Sequence, residues 1–126
     1  MAENARDVKE LLAKALSNKS DPRQTLEAFG PVLLRVLTSQ RAVALNRAAA
    51  ADVSTGGDLG RTIAANGRET VYPLVQRLFQ QAAEKGQIKK AHTRTAAEVY
   101  MSLLIGDIQI RRVIGVIDIP SEKELH

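Results

Sequence analysis

Apolar residues recur along this chain at intervals of three and four, the period of helices laid against a core. In residues 4 to 17, Val8, Leu11, Leu12, Ala15 and Leu16 share one stripe with charges opposite. Asp21 before Pro22 reads as an N-cap with proline at the first helical position. The helix it opens carries Leu26, Phe29, Leu33, Val36 and Leu37 on one face. Pro31 lies inside that helix after Gly30; it has no N–H for the carbonyl four residues back, so a kink or restart is expected. Thr38 or Ser39 caps a third helix running to about Asp52, and VSTGGD is a loop by composition. Leu59 to Asn66 is a short helix with Gly67 as a left-handed cap. The next helix buries Val71, Leu74, Val75, Leu78, Phe79 and Ala82, tolerates or kinks at Pro73, and ends at Gly86 with Ile88 packing back.

The most apolar stretch is Thr93 to Gly115, TRTAAEVYMSLLIGDIQIRRVIG. As a continuous helix at about 100° per residue, its apolar side chains cover roughly half the circumference. One contact with a core requires less, so this helix is expected to pack on two sides. Asp107 and Arg111, four apart, lie within the arc, with Tyr100 further up the same line. A charged pair on an apolar face is costly unless each member has a partner. After it, Pro120-Ser121 followed by Glu122 and Glu124 reads as the first turn of another helix. No strand pattern and no internal repeat is present. The fold class is all-α.

At 126 residues the chain fits one domain, 1–126, and its 44% hydrophobic and 25% charged residues are the balance of a globular protein. With aromatics at 3%, aliphatic side chains and alanine must build the core. There is no cysteine, which excludes disulfides and thiolate metal sites. His92 and His126 fall in loop or terminal positions, so no metal site and no cofactor are expected. No apolar run approaches membrane-spanning length and MAENARDVKE has no secretory hydrophobic segment, so a cytoplasmic location is expected. The net charge of +4 raises the question of nucleic acid. The one dense basic group, Lys85, Lys89, Lys90 and Arg94, has no interleaved aromatic residues for stacking, and a solvated loop is the better reading.

An enzyme needs convergent nucleophiles, acids or metal ligands in a cleft. The chain has no glycine-rich phosphate loop, no HExxH, no GxSxG and no paired acid cluster, and is expected not to be an enzyme. NRAAAADVSTGGDLGRTIAANG has the rhythm of a helix-turn-helix. Its VSTGGD connection is too long for the tight turn, however, and Arg61, Thr62 and Asn66 have little basic support. The four alanines Ala48 to Ala51 either admit a neighbouring helix closely or form the thin wall of a cavity, with Asn46 and Arg47 as polar contacts.

The succession AFGPVLLRVLTSQRAVALNRAAAAD, DLGRTIAANGRETVYPLVQRLFQQAAEKGQI and TAAEVYMSLLIGDIQIRRVIG resembles the C-terminal regulatory domain of TetR-family bacterial transcriptional repressors, specifically the AefR-like subgroup, over residues 24 to 115. The resemblance implies an antiparallel helical bundle that forms a homodimer through its last two long helices. It also implies a small, often apolar effector held in the bundle, whose binding shifts the separation of two DNA-binding heads. In such a family a helix-turn-helix precedes this domain. Here residues 1–20 correspond to part of the connecting helix and 116–126 to the start of a truncated last helix. The expectation is therefore a regulator's sensing and dimerising half, with DNA contacted only through a helix-turn-helix absent from this chain.

On that reading Tyr100, Leu103, Gly106, Asp107, Ile110, Arg111 and Ile114 face the twofold mate, Asp107 and Arg111 pairing reciprocally and Gly106 allowing close approach. Asn46, Arg47, Tyr72, Phe79, Met101, Leu104 and Ile108 then line the effector pocket. The opposite placement puts Tyr100, Asp107 and Arg111 in the cavity as ligand contacts. A helical protein–protein interaction module without a ligand, and direct DNA binding through residues 44 to 66, are the rivals.

Overall fold

A computed structural model describes residues 5–18, 20–88 and 92–125. It contains α1 (Ala5–Ser17), α2 (Pro22–Thr38), α3 (Gln40–Asp52), a 3-10 turn (Val53–Thr55), α4 (Asp58–Asn66), α5 (Arg68–Glu84), α6 (Thr93–Ile105), α7 (Ile108–Val113) and α8 (Glu122–Leu125). No strand occurs among the described residues. Lys89, Lys90 and His126 lie outside them.

The core is where four stripes meet. Val8, Leu12 and Leu16 of α1, Phe29, Leu33 and Val36 of α2, Val71, Val75 and Leu78 of α5, and Ala97 and Met101 of α6 form one buried cluster. These are the helical-period positions, so amphipathic patterning alone brings the four helices together. Each fully buried aliphatic or aromatic side chain contributes about 1.5–3 kcal/mol. Against this core α3 and α4 lie as an outer pair, while α7 and α8 lie against α2.

Local chemistry sets the boundaries. Pro22 opens α2 after Asp21, and Ser39 caps α3 by accepting from the Ala42 amide at 3.2 Å. α5 ends in a Schellman motif: the Gly86 amide donates to Ala83 O at 3.0 Å and the Gln87 amide to Ala82 O at 2.9 Å, with Gly86 at φ +76°. Ser121 accepts from the Glu124 amide at 3.3 Å and its hydroxyl meets the Glu124 carboxylate, which starts α8.

Three expectations need correction, and one pair of alternatives is decided. The stretch from Thr93 to Gly115 is not one helix: Gly106, at φ +52° and ψ −131°, ends α6, and α7 starts two residues later. That backbone region is open to glycine and almost nothing else, so helical periodicity persists across a joint it does not reveal. The restart at Gly30-Pro31 does not occur, because α2 runs through both residues and Pro31 costs it only one internal donor. Gly67 is not a left-handed cap; it has φ −109° and joins α4 directly to α5. Of the two readings of the four alanines, close approach by a neighbouring helix is the one that holds. Ala48, Ala50 and Ala51 are exposed, and Ala49 is the residue that lets α4 approach at Gly60.

Candidate functional site

Tyr100 ties three helices together. From α6 its hydroxyl donates to Leu26 O of α2 at 2.8 Å. Its ring stacks on Phe29 at 6.4 Å and meets Phe79 of α5 edge-on at 5.9 Å. Burial pushes the phenol up to about 12, so it stays a neutral donor throughout the ordinary pH range. Gly30 gives this packing room: a Cβ there would stand 3.1 Å from Leu104 Cδ1, a tight contact, and 3.8 Å from the Tyr100 hydroxyl, an ordinary one.

Where this cluster reaches the surface, the first turns of α2, the last turns of α5 and α6 enclose an open groove of ≈ 610 Å³. Pro22, Leu26, Phe79, Ala82, Ile88 and Tyr100 line it, with Arg23, Glu27 and Gln87 exposed at its edge. Arg23 and Glu27 already pair at 3.2 Å, so the edge adds little net charge. A mostly apolar recess of this size, floored by two aromatic rings, suits a small apolar molecule. A second cleft of ≈ 450 Å³ lies between α5 and the start of α6, lined among others by Arg68, Tyr72, Arg94 and Glu98. There the Arg68 guanidinium covers the Tyr72 ring at 4.4 Å, and Arg94 pairs with Glu98 at 3.4 Å.

The seven pocket candidates therefore do not converge. Phe79 lines the apolar groove and Tyr72 the charged cleft. Met101 is buried in the core, and Leu104 packs over Gly30. Asn46 donates to Ala42 O of its own helix at 2.8 Å. Arg47 donates to Val113 O at 2.7 Å and to Arg112 O at 3.4 Å, the carbonyls that end α7. Ile108 is half-buried on α7.

The seven residues assigned to a twofold contact divide. Tyr100 turns inward, whereas Leu103 is 80% exposed, Ile110 54% and Ile114 64%. Val99, at 51%, joins them and was part of the same apolar arc. Asp107 and Arg111 pair at 3.1 Å in an exposed position beside this stripe, and nothing stands within 4 Å of a Cβ built on Gly106. Tyr100 and the Asp107–Arg111 pair thus belong to different surfaces, whichever role each has.

Sequence reasoning missed Arg112. It is only 9% exposed and its Nε donates to Thr38 O, the last carbonyl of α2, at 3.2 Å. The doublet Arg111-Arg112 offered no way to tell the exposed arginine from the buried one except helical phase: Arg112 is 11 residues beyond Met101, three turns, on the same inward line. Among the described residues no group of three or more His, Cys, Asp or Glu side chains is placed to hold a metal ion. No described helix is long and apolar enough to cross a membrane.

The family model for the C-terminal domain of AefR-like transcriptional repressors covers residues 24–126. No curated protein and no solved structure matches the chain.

Proposed function

The chain belongs to the family of AefR-like transcriptional repressor C-terminal domains, the TetR type of regulatory domain, and from that membership we propose that it senses a small apolar effector and forms a homodimer. In a full-length regulator it would control DNA binding through a separate head. The observation that carries the dimer is the set of uncovered side chains Val99 and Leu103 on α6, whose opposite side packs in the core, and Ile110 and Ile114 at α7. Four large apolar side chains left uncovered on successive helices favour a protein partner. The adjoining Asp107–Arg111 pair carries both signs and so complements itself across a twofold axis. A second copy satisfies both features at once.

The effector is assigned to the groove over Phe79 and Tyr100. The groove touches α2 and α5, which flank α1, so a ligand there bears on the helix leading toward the N-terminus. A thermal-shift series with flat hydrophobic compounds tests this assignment. Stabilisation that rises with concentration in the native chain and disappears in Phe79→Ala is the expected result. Equal stabilisation in the variant would place the ligand outside this groove, and none in the native chain would favour an interaction module without a ligand.

A further inference from the structure

The short helix α7 is held in an unusual way. Its one buried residue is a cation, Arg112, whose Nε donates to the carbonyl that ends α2. Its own last carbonyls, on Arg112 and Val113, receive the guanidinium of Arg47 from α3. Two arginines thus stitch three elements together through helix C-termini, where the backbone dipole favours positive charge. Polar contacts to neutral carbonyls, beside only half-buried Ile108 and Val113, seat this helix. At its other end stands Gly106 in a glycine-only conformation, with open space around it. α7 consequently lies on α2 and α3, while α6 lies on α5.

Straightening that joint would have a specific consequence. In a continuous helix at about 100° per residue, Val99, Leu103, Ile110 and Ile114 fall within about 60° of one another, a single narrow seam with Asp107 and Arg111 along its flank. The bent arrangement divides that seam between two helices. We propose that residues 106–117 are a two-position arm. In the isolated chain the arm is latched by Arg47 and Arg112 onto the ends of α3 and α2. When a second copy covers the seam, the arm swings out as a continuation of α6 and draws α8 off α2 with it. The latch and the seam then compete, so self-association releases two arginines from the bundle, and any ligand or contact that tightens the latch weakens the dimer. The identity of the partner rests on the dimer reading above; the joint and the latch do not.

The chain has no cysteine, so spin labels can be placed cleanly at Ala48→Cys on α3 and Val116→Cys beyond α7, both exposed positions. Pulsed electron resonance on labelled chain diluted with unlabelled chain should give one short distance at low concentration. A longer distance should grow in as sedimentation equilibrium shows dimer. Gly106→Ala, which disfavours the bend and favours helix, should show the longer distance even in dilute solution and tighten association about fivefold to tenfold. A dimer with an unchanged distance overturns the arm and leaves the dimer reading standing. If the chain stays monomeric, the dimer reading falls and Gly106→Ala decides the arm alone: an unchanged distance there overturns it, a longer one supports it. Should that variant not fold, Arg47→Gln with Arg112→Gln releases the latch and is read in the same way.

Discussion

Single side chains carry much of the specific chemistry. Arg112→Met keeps most of the buried volume and removes the bond to Thr38 O, so urea unfolding should show a loss of about 1–2 kcal/mol. An unchanged midpoint would mean the buried guanidinium is neutral in stability. Tyr100 makes an alkaline prediction. Its folded value is raised to about 12 from the ordinary 10, so its contribution is complete below pH 10 and is lost as pH rises toward 12. Stability followed by circular dichroism should fall over that interval in the native chain and less so in Tyr100→Phe, which at neutral pH should cost about 1 kcal/mol. Asp52 behaves oppositely. The Thr55 hydroxyl at 2.7 Å and the Leu59 amide at 3.1 Å hold its carboxyl below the ordinary value. Its anchoring of α4 is therefore present at neutral pH and lost on acidification below the carboxylate range. Asp52→Ala should raise hydrogen exchange across α4, with the Leu59 amide affected first; unchanged exchange there would remove Asp52 from this role.

At the scale of elements, periodicity located α1, α2, α5 and the start of α6, because a helix that packs on the core must show its buried stripe, whereas α3 and α4 followed from caps and loop composition. It could not locate the break at Gly106, since the residues on both sides keep nearly the same helical phase and only a backbone angle distinguishes joint from helix. The candidate site was legible in fragments. Phe79 and the outward stripe followed from their patterns, and Arg112 and the arginine capping of α7 did not, because they depend on which helix ends come together in space. Arg47 was picked out for a polar role in a pocket and instead caps another helix. Close approach is also invisible in the pattern: Gly30 matters through Leu104 and Tyr100, distant in sequence. Gly30→Val should overpack that contact and cost about 1–3 kcal/mol, whereas Gly30→Ala asks only a small shift of the Leu104 side chain. Equal stability of the two variants would show that α2 and α6 are less tightly apposed.

For the whole molecule, the core uses one side of α6 and leaves the other uncovered, and the family gives that asymmetry its meaning. A regulatory domain that couples an effector to a pair of heads needs both an interior that responds and a surface that joins two copies. The groove at Phe79 and Tyr100 and the stripe on α6 and α7 are the proposed counterparts. The most direct test is sedimentation equilibrium of the native chain beside Leu103→Lys and Ile110→Lys, with circular dichroism to verify folding. The account predicts twice the chain mass for the native protein, and the single-chain mass with undiminished helix for both variants. A native chain that stays monomeric at high micromolar concentration, or a dimer indifferent to both lysines, would contradict it.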